Sequence, residues 1–204
     1  MPASSSIDHG RSAERELIRL VWQVLEQTAG GSEWSAPDAP VEPELQQPGA
    51  SFVTLYVNDE LKGCIGTLEA HQPLWLDVCH NAYSSARRDH RFTALCQRDL
   101  PSLRFEISIL SPLEPMINQG EDALLAQLAS DRCGLLLEQG YRRAVFLPSV
   151  WQALPEPRAF LQALKRKGGW RREEWSGEIA LFRFTTCVIS SDGQSTCREL
   201  FAGA

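Results

Sequence analysis

Residues 51–66 read SFVTLYVNDELKGCIG, and this stretch predicts the centre of the fold. Its first seven residues are rich in β-branched and aromatic side chains, which is typical of a strand. Residues 58–60, Asn-Asp-Glu, suit a turn, and residues 61–66 then return as a second strand. The stretch therefore predicts an antiparallel hairpin that carries Cys64 on its return strand.

Helical and strand patterns alternate on both sides of this hairpin. Apolar residues recur at helical spacing from about Ser12 to Ala29, while four prolines between residues 30 and 49 predict an extended loop. The patterns further predict helices at 73–88, 121–129 and 157–167, a strand at 103–109, a hairpin at 134–147 and one late strand at 178–189. Hairpins separated by helices indicate an α+β fold, with mainly antiparallel sheets and flanking helices.

Composition and charge restrict the class of protein. The chain has 204 residues, of which 43% are hydrophobic and 23% charged, and its net charge is −6. This acidic balance argues against nucleic acid or an anionic membrane as a partner. No apolar stretch approaches the roughly 18–20 residues of a membrane span, and the N-terminus lacks the pattern of a secretory signal. The six cysteines form no CxxC pair, so we expect reduced thiols in a cytoplasmic protein.

Cys64 is the first candidate for chemistry. Gly63 and Gly66 frame it, and glycine lets a backbone approach a ligand closely. Lys62 lies two residues earlier on the strand, so alternation predicts that its side chain shares a face with the thiol. These residues predict a catalytic thiol with Lys62, Gly63 and Gly66 in contact with a ligand. The alternative is that Cys64 is a small buried residue and the glycines serve tight packing.

Asp89, Arg91 and Glu106 form the second candidate group. The guanidinium of Arg91 suits a carboxylate or phosphate, and Asp89 or Glu106 would orient it or accept a proton. We therefore predict catalytic roles for Asp89 and Glu106 and a ligand-binding role for Arg91, with Asn81 as a further ligand contact. The alternative is a structural ion pair between a helix end and the sheet, with Glu106 solvated and with Asn81 and Ser85 capping a loop.

The remaining motifs carry less chemistry. The basic clusters at 87–91 and 165–167 have no interleaved aromatic platform for bases, so we expect solvated helix ends. The sequence contains no P-loop, no dinucleotide fingerprint and no spacing typical of a zinc or iron–sulfur site. We therefore predict neither a metal nor a cofactor.

Several segments, in this order, resemble the AMMECR domain family, whose prokaryotic members are called AmmeMemoRadiSam system protein A. The resemblance covers about Glu14 to Arg183. It rests on LKGCIG at 61–66, Asn81, Ala86, DHRF at 89–92, LRFEIS at 103–108, LSP at 110–112, GLLL at 134–137, VFLP at 145–148, Phe160-Leu161 and KGG at 167–169.

The resemblance implies an organisation into two closely packed subdomains with a cleft between them. We expect a disordered segment at 1–10, an AMMECR-like domain at 11–190 with the smaller subdomain around 58–95, and a tail at 191–204. The resemblance also implies a pathway shared with Memo-like proteins and radical S-adenosylmethionine (SAM) proteins, which become the expected partners. It leaves the oligomeric state open.

Two functions remain open from the sequence, because the family has no established activity. The first is an enzyme or enzyme component that uses Cys64 for thiol-dependent transfer or capture of a small anionic or modified metabolite. The second is a non-catalytic binding module for the expected partners.

Overall fold

The structure, a computed structural model, describes residues 3–197 and the side chains of residues 11–197. Its α-helices are α1 (Ala3–Ala29), α2 (Leu74–Arg87), α3 (Glu121–Ser130) and α4 (Pro157–Lys167). Its strands are β1 (Pro48–Gly49), β2 (Ser51–Val57), β3 (Glu60–Gly66), β4 (Gln72–Pro73), β5 (Leu103–Leu110), β6 (Glu114–Met116), β7 (Gly134–Gln139), β8 (Arg142–Phe146), β9 (Ala180–Phe184) and β10 (Thr186–Ser190). Short 3₁₀ helices occupy Pro43–Gln46, Gln97–Ser102 and Pro148–Gln152.

The chain divides into two compact units. The first comprises Met1–Leu110 with Cys187–Ala204, and the second comprises Ser111–Thr186. These boundaries differ from the predicted smaller subdomain around 58–95, which lies within the first unit. The reason is that β3 pairs with β2 along its length and α2 packs against both strands.

The predicted hairpin forms one side of the first unit's sheet, with β2 inside the sheet and β3 at its edge. Strands follow the order β10-β5-β2-β3, and β2 pairs antiparallel with both β3 and β5. Its turn residues Asn58 and Asp59 have φ angles of 51° and 64°, a conformation that these two residue types tolerate. The apolar face of α1 is buried as predicted, through Leu17, Leu20, Val21, Val24 and Leu25.

Helix α2 lies very close to the return strand. A Cβ on Gly63 would overlap the backbone carbonyl of Ser85, so only glycine permits this approach. The Ser85 hydroxyl donates to the Val53 carbonyl at 2.7 Å and accepts from the Ile65 N–H at 2.8 Å. A Cβ on Gly66 would likewise overlap the Phe52 ring. Both glycines of the LKGCIG stretch are therefore required by packing, and their predicted ligand contact remains a prediction.

The second unit has a four-stranded sheet in the order β6-β9-β7-β8, with α3 and α4 as its helices. Within the basic cluster at 165–167, Arg166 and Lys167 are exposed as expected, but Lys165 is not. Lys165 is 0% exposed and donates to Glu121 at 2.6 Å and to the Arg172 carbonyl at 2.7 Å. Burial of this ammonium is tolerated because a carboxylate and a carbonyl both accept from it.

The two ends of the chain differ from the sequence expectation. Helix α1 begins at Ala3 and so includes residues 3–10 of the segment expected to be disordered. The single strand predicted at 178–189 is two strands, because β9 pairs with β6 and β7 while β10 joins the sheet of the first unit. Residues 1–2 of the segment expected to be disordered and residues 198–204 of the predicted tail lie outside the described residues.

A disulfide between Cys187 and Cys197 corrects the expectation that all six cysteines are reduced. The two residues lie opposite each other because the chain reverses after β10, where Ile189 bridges to Ser195. Cysteine spacing alone did not indicate this turn. The four free cysteines are Cys64, Cys79, Cys96 and Cys133.

Gly63→Ala tests the close approach of α2 to β3. We expect it to lower the free energy of unfolding by at least about 2 kcal/mol, because the Ser85 backbone cannot move without displacing the helix. Gly30→Ala is the matched control, since a Cβ there meets its neighbours at ordinary distances of 3.4 Å or more. Urea unfolding followed by circular dichroism measures both variants, and equal stabilities would contradict the packing role.

Alkylation counts test the disulfide. Protein purified without reductant and unfolded in guanidinium should take up four iodoacetamide groups, one for each free cysteine. The count should rise to six after reduction, because Cys187 and Cys197 then also react. Intact mass spectrometry gives both counts, and six groups before reduction would show that the pair is open under those conditions.

Candidate functional site around Cys64

Three polar side chains form a row across the first sheet. Cys64 lies opposite Thr54 on β2, and Thr54 lies opposite Glu106 on β5. Because paired residues share a face, these side chains project from the face opposite the buried Val53 and Leu55. The Thr54 hydroxyl donates to the Cys64 sulfur at 3.3 Å. We call Cys64, Thr54 and Glu106 the polar row.

Tyr56 extends this surface by two residues along β2. Its hydroxyl donates to Oε2 of Glu106 over a long 3.5 Å. Burial raises the pKa of the Tyr56 phenol, and the negative charge of Glu106 raises it further. Tyr56 therefore stays protonated at neutral pH and serves the surface as a hydrogen-bond donor.

Asp89 and Arg91 hold the backbone of Cys64. Strand β3 is the edge of its sheet, so outward-pointing peptide groups there have no strand to pair with. Asp89 accepts from the Cys64 N–H at 2.9 Å, and Arg91 donates to the Cys64 carbonyl at 3.3 Å. The two side chains also form a bidentate ion pair, with distances of 2.9 Å and 2.7 Å. Their joint effect is to complete the hydrogen bonding of the strand at Cys64.

The ion pair changes the acidity of Asp89. Hydrogen bonds from the Arg91 side chain are the largest cause, and with those from the backbone N–H groups of Cys64 and Arg91 they lower the pKa of Asp89 to about 2. The same pair raises the pKa of Arg91. Asp89 is therefore ionised at neutral pH and is a weak base there.

Lys62 does not follow the predicted alternation. Gly63 lies opposite Leu55 but Leu61 lies opposite Tyr56, so Lys62 is the extra residue of a β-bulge. Its ammonium contacts Asp99 at 3.1 Å and the Thr93 hydroxyl, also at 3.1 Å.

Asp99 is the partner that holds Lys62. Burial acts to raise the pKa of Asp99, yet hydrogen bonds from the N–H and thiol of Cys96, together with Lys62, leave it lower than usual. The charge of Lys62 is thus compensated within the chain.

Asn81 lies in a buried hydrogen-bond network. It is 4% exposed, and its amide donates to the Ser51 carbonyl at 3.0 Å and to Asp77 at 2.9 Å. Asp77 also accepts from the hydroxyls of Ser51 and Thr67. These contacts join α2 to β2, so the geometry favours the structural alternative for Asn81.

Of the predicted site residues, Asp89 and Arg91 contact Cys64, whereas Glu106 lies two strands away, beyond Thr54, and contacts Tyr56. Lys62 pairs with Asp99, Asn81 joins α2 to β2, and the two glycines allow close packing. Thr54 and Tyr56 are absent from the predicted site, and Ser85 is predicted only together with Asn81. Thr54 and Tyr56 alternate with the apolar residues of 51–57, and this pattern indicates that they share the polar face of the strand. The position of Ser85 depends instead on how α2 packs.

The described residues contain neither a cluster suited to a metal ion nor a helix suited to a membrane. Among the described residues, no cluster of three or more His, Cys, Asp or Glu side chains is arranged to hold a metal ion. None of the helices in this part of the chain has the length and apolar character to span a membrane.

Comparisons with known proteins show similarity across both units. A family model described as AMMECR1 matches residues 18–189. A protein of Thermofilum pendens is 30% identical over 187 residues, which cover 85% of this chain and 87% of that protein. A protein of Thermotoga maritima is 29% identical over 175 residues, covering 84% and 95%. The crystal structure of the uncharacterized protein PH0010 from Pyrococcus horikoshii has a TM-score of 0.76 and 27% identity, covering 88% of this chain and 93% of that one.

Asp89→Asn tests the ion pair through its pH dependence. A carboxyl with a lower pKa in the folded than in the unfolded chain stabilises the fold above the unfolded pKa, near 4, and this contribution is lost as the pH falls toward 2. We expect the variant to be less stable by about 1–2 kcal/mol at pH 7, with a difference that shrinks below about pH 4. Urea unfolding at several pH values measures this.

The matched control for this test is Asp59→Asn. Asp59 also pairs with an arginine, Arg104, but both side chains are exposed. Solvent screens such a pair, so this variant should change stability little at any pH. A loss of stability in Asp89→Asn that stays constant down to pH 2.5 would contradict the role of the charge.

Proposed function

The chain belongs to the AMMECR1 family, and we propose that it is a cytoplasmic, non-catalytic binding module that engages a Memo-like protein or a radical SAM protein through the surface around Cys64. The observation that supports this proposal is the set of contacts that Asp89 and Arg91 make. Both are engaged with the Cys64 backbone and with each other.

A nucleophilic cysteine needs a base or an available cation nearby. Asp89, with a pKa of about 2, has little capacity to accept a proton at neutral pH. Arg91 is held by that same carboxylate, and Lys62 is held by Asp99. These groups are therefore better suited to fixing the surface than to activating the thiol.

The surface itself offers what a polar partner needs. Thr54, Tyr56 and Glu106 present donors and an acceptor, all half-buried, on adjacent strands of a sheet. Because half-buried side chains are already partly restricted, they lose less conformational freedom when a partner binds, which lowers the entropic cost of association. Tyr56 has the amphipathic ring that is enriched where interfaces concentrate their binding energy.

Thiol chemistry remains a second candidate, because one hydrogen bond favours it. The Thr54 hydroxyl donates to the Cys64 sulfur at 3.3 Å, and such a bond would stabilise a thiolate. In this case Cys64 would capture or transfer a group from a small anionic or modified metabolite, with Glu106 on the same face of the sheet, beyond Thr54, as the carboxylate.

Cys64→Ala and Cys64→Ser, compared in complementation of a deletion strain, separate the two functions. A binding module should tolerate at least one of them, because neither substitution removes the hydrogen bonds to the Cys64 backbone. A nucleophile should fail in both, since serine is a poor substitute without a base. Cys96→Ala is the matched control, as Cys96 is also free and half-buried.

A direct binding measurement with the expected partners complements the complementation assay. Isothermal titration of the native chain with the Memo-like protein, and separately with the radical SAM protein, of the same genome should give saturable binding to at least one of them. Cys64→Ala should bind within about threefold of the native chain if Cys64 is only a contact, which is less than about 0.7 kcal/mol. Absence of binding to both proteins, together with failure of both Cys64 variants in complementation, would overturn the proposal in favour of thiol chemistry.

A further inference from the structure

We propose that the basic turn, Arg87–Arg91, is the docking surface for an acidic Asp/Glu-rich segment of the partner protein. This inference rests on the proposed binding function and deepens it by assigning the surface and the chemistry of the partner. The sequence expected the same cluster to be a solvated helix end.

In the basic turn the carboxylate is buried and the basic side chains are exposed. Its only carboxylate, Asp89, is 5% exposed and is directed inward to the Cys64 N–H. The side chain of Arg91 is 61% exposed, and Arg87, Arg88 and His90 are exposed as well. Within the described part of the chain, no ion pair joins Arg87 or Arg88 to a carboxylate. Because Asp89 is buried and paired with Arg91, the uncompensated positive charge that the turn presents outward is that of Arg87 and Arg88.

Two of these arginines are held in place by aromatic rings. The guanidinium of Arg88 lies 5.4 Å from the centre of the Tyr83 ring, and that of Arg91 lies 5.1 Å from the Phe92 ring. Stacking on a ring leaves the edge of the Arg88 guanidinium available for a carboxylate, whereas Asp89 and the Cys64 carbonyl already accept from Arg91. It also restricts the side chain before binding, so less entropy is lost when a carboxylate pairs with it.

Charge complementarity selects an acidic protein segment as the occupant. The chain as a whole carries a net charge of −6, which repels nucleic acid at a distance far more than it repels a short acidic segment. Glutamate and aspartate side chains match the bidentate geometry of arginine. If a DNA duplex bound this turn more tightly than an acidic peptide, the partner would be a nucleic acid instead.

The basic turn also adjoins the proposed binding surface. Arg91 donates to the Cys64 carbonyl at 3.3 Å, so the turn begins where the polar row ends. A partner segment anchored on Arg87 and Arg88 would continue along the edge of β3 toward Thr54 and Cys64. One partner would thus cover both surfaces.

Fluorescence anisotropy with a labelled oligoglutamate peptide tests the surface directly. We expect Arg87→Glu/Arg88→Glu to bind at least about tenfold more weakly than the native chain. The matched control is Arg158→Glu/Arg166→Glu, which makes the same charge change at exposed positions on α4, and it should bind within about threefold of the native chain. Native binding should weaken several-fold between about 0.05 M and about 0.5 M NaCl, because salt screens exposed charges.

The neutral pair Arg87→Gln/Arg88→Gln keeps the test decisive if charge reversal prevents folding. It should fold as the native chain does by circular dichroism and show a smaller salt dependence of peptide binding. The inference is overturned by no peptide binding to the native chain, by equal losses in both charge-reversed variants, or by tighter binding of a DNA duplex of matched charge.

The same variants distinguish this inference from the proposed function. If the Memo-like or radical SAM protein binds the native chain and Arg87→Glu/Arg88→Glu equally well, the docking surface is wrong and the binding module stands. If the peptide binds at the basic turn but neither protein binds the native chain, the docking surface stands and those two partners are wrong.

Discussion

The close approach of α2 to the return strand at Gly63 is the constraint on which the first unit depends. It allows the Ser85 hydroxyl to join the Val53 carbonyl to the Ile65 N–H, so the helix is bonded to both strands of the hairpin. The position of α2 then fixes where its C-terminal turn emerges. Asp89 and Arg91 lie on that turn, and they complete the hydrogen bonding of the strand one residue beyond Gly63.

This arrangement changes the meaning of the glycine–cysteine stretch. The glycines made Cys64 look accessible to a ligand, but each of them is required by a neighbouring backbone or ring. The charged residues that suggested an activated thiol are engaged in holding the edge strand. What remains directed outward is a row of polar side chains on a sheet, with Cys64 as one member, and this favours recognition over nucleophilic chemistry.

The basic clusters at 87–91 and 165–167 have similar sequences but differ in how their cations are buried and paired. The sequence predicts solvated helix ends for both, yet Lys165 is buried against Glu121 whereas Arg87 and Arg88 are exposed. The difference arises from the carboxylates. Glu121 comes from a different helix and pairs with Lys165, while Asp89 pairs with Arg91 and with a peptide group and leaves Arg87 and Arg88 without a carboxylate.

The sequence alone determined the local elements: the hairpin at 51–66, the helices near 74–87 and 157–167 and the α+β class, because alternation and helical spacing are properties of neighbouring residues. It also indicated Cys64, Asp89, Arg91 and Glu106 as candidate site residues. Only the tertiary structure decided the division into units, the separation of β9 from β10, the Cys187–Cys197 disulfide and the bulge at Lys62. These depend on pairings between segments distant in the chain, whose energies no local pattern encodes. For the same reason the sequence could name the residues around Cys64, but whether their charges face the thiol or the backbone was settled by packing.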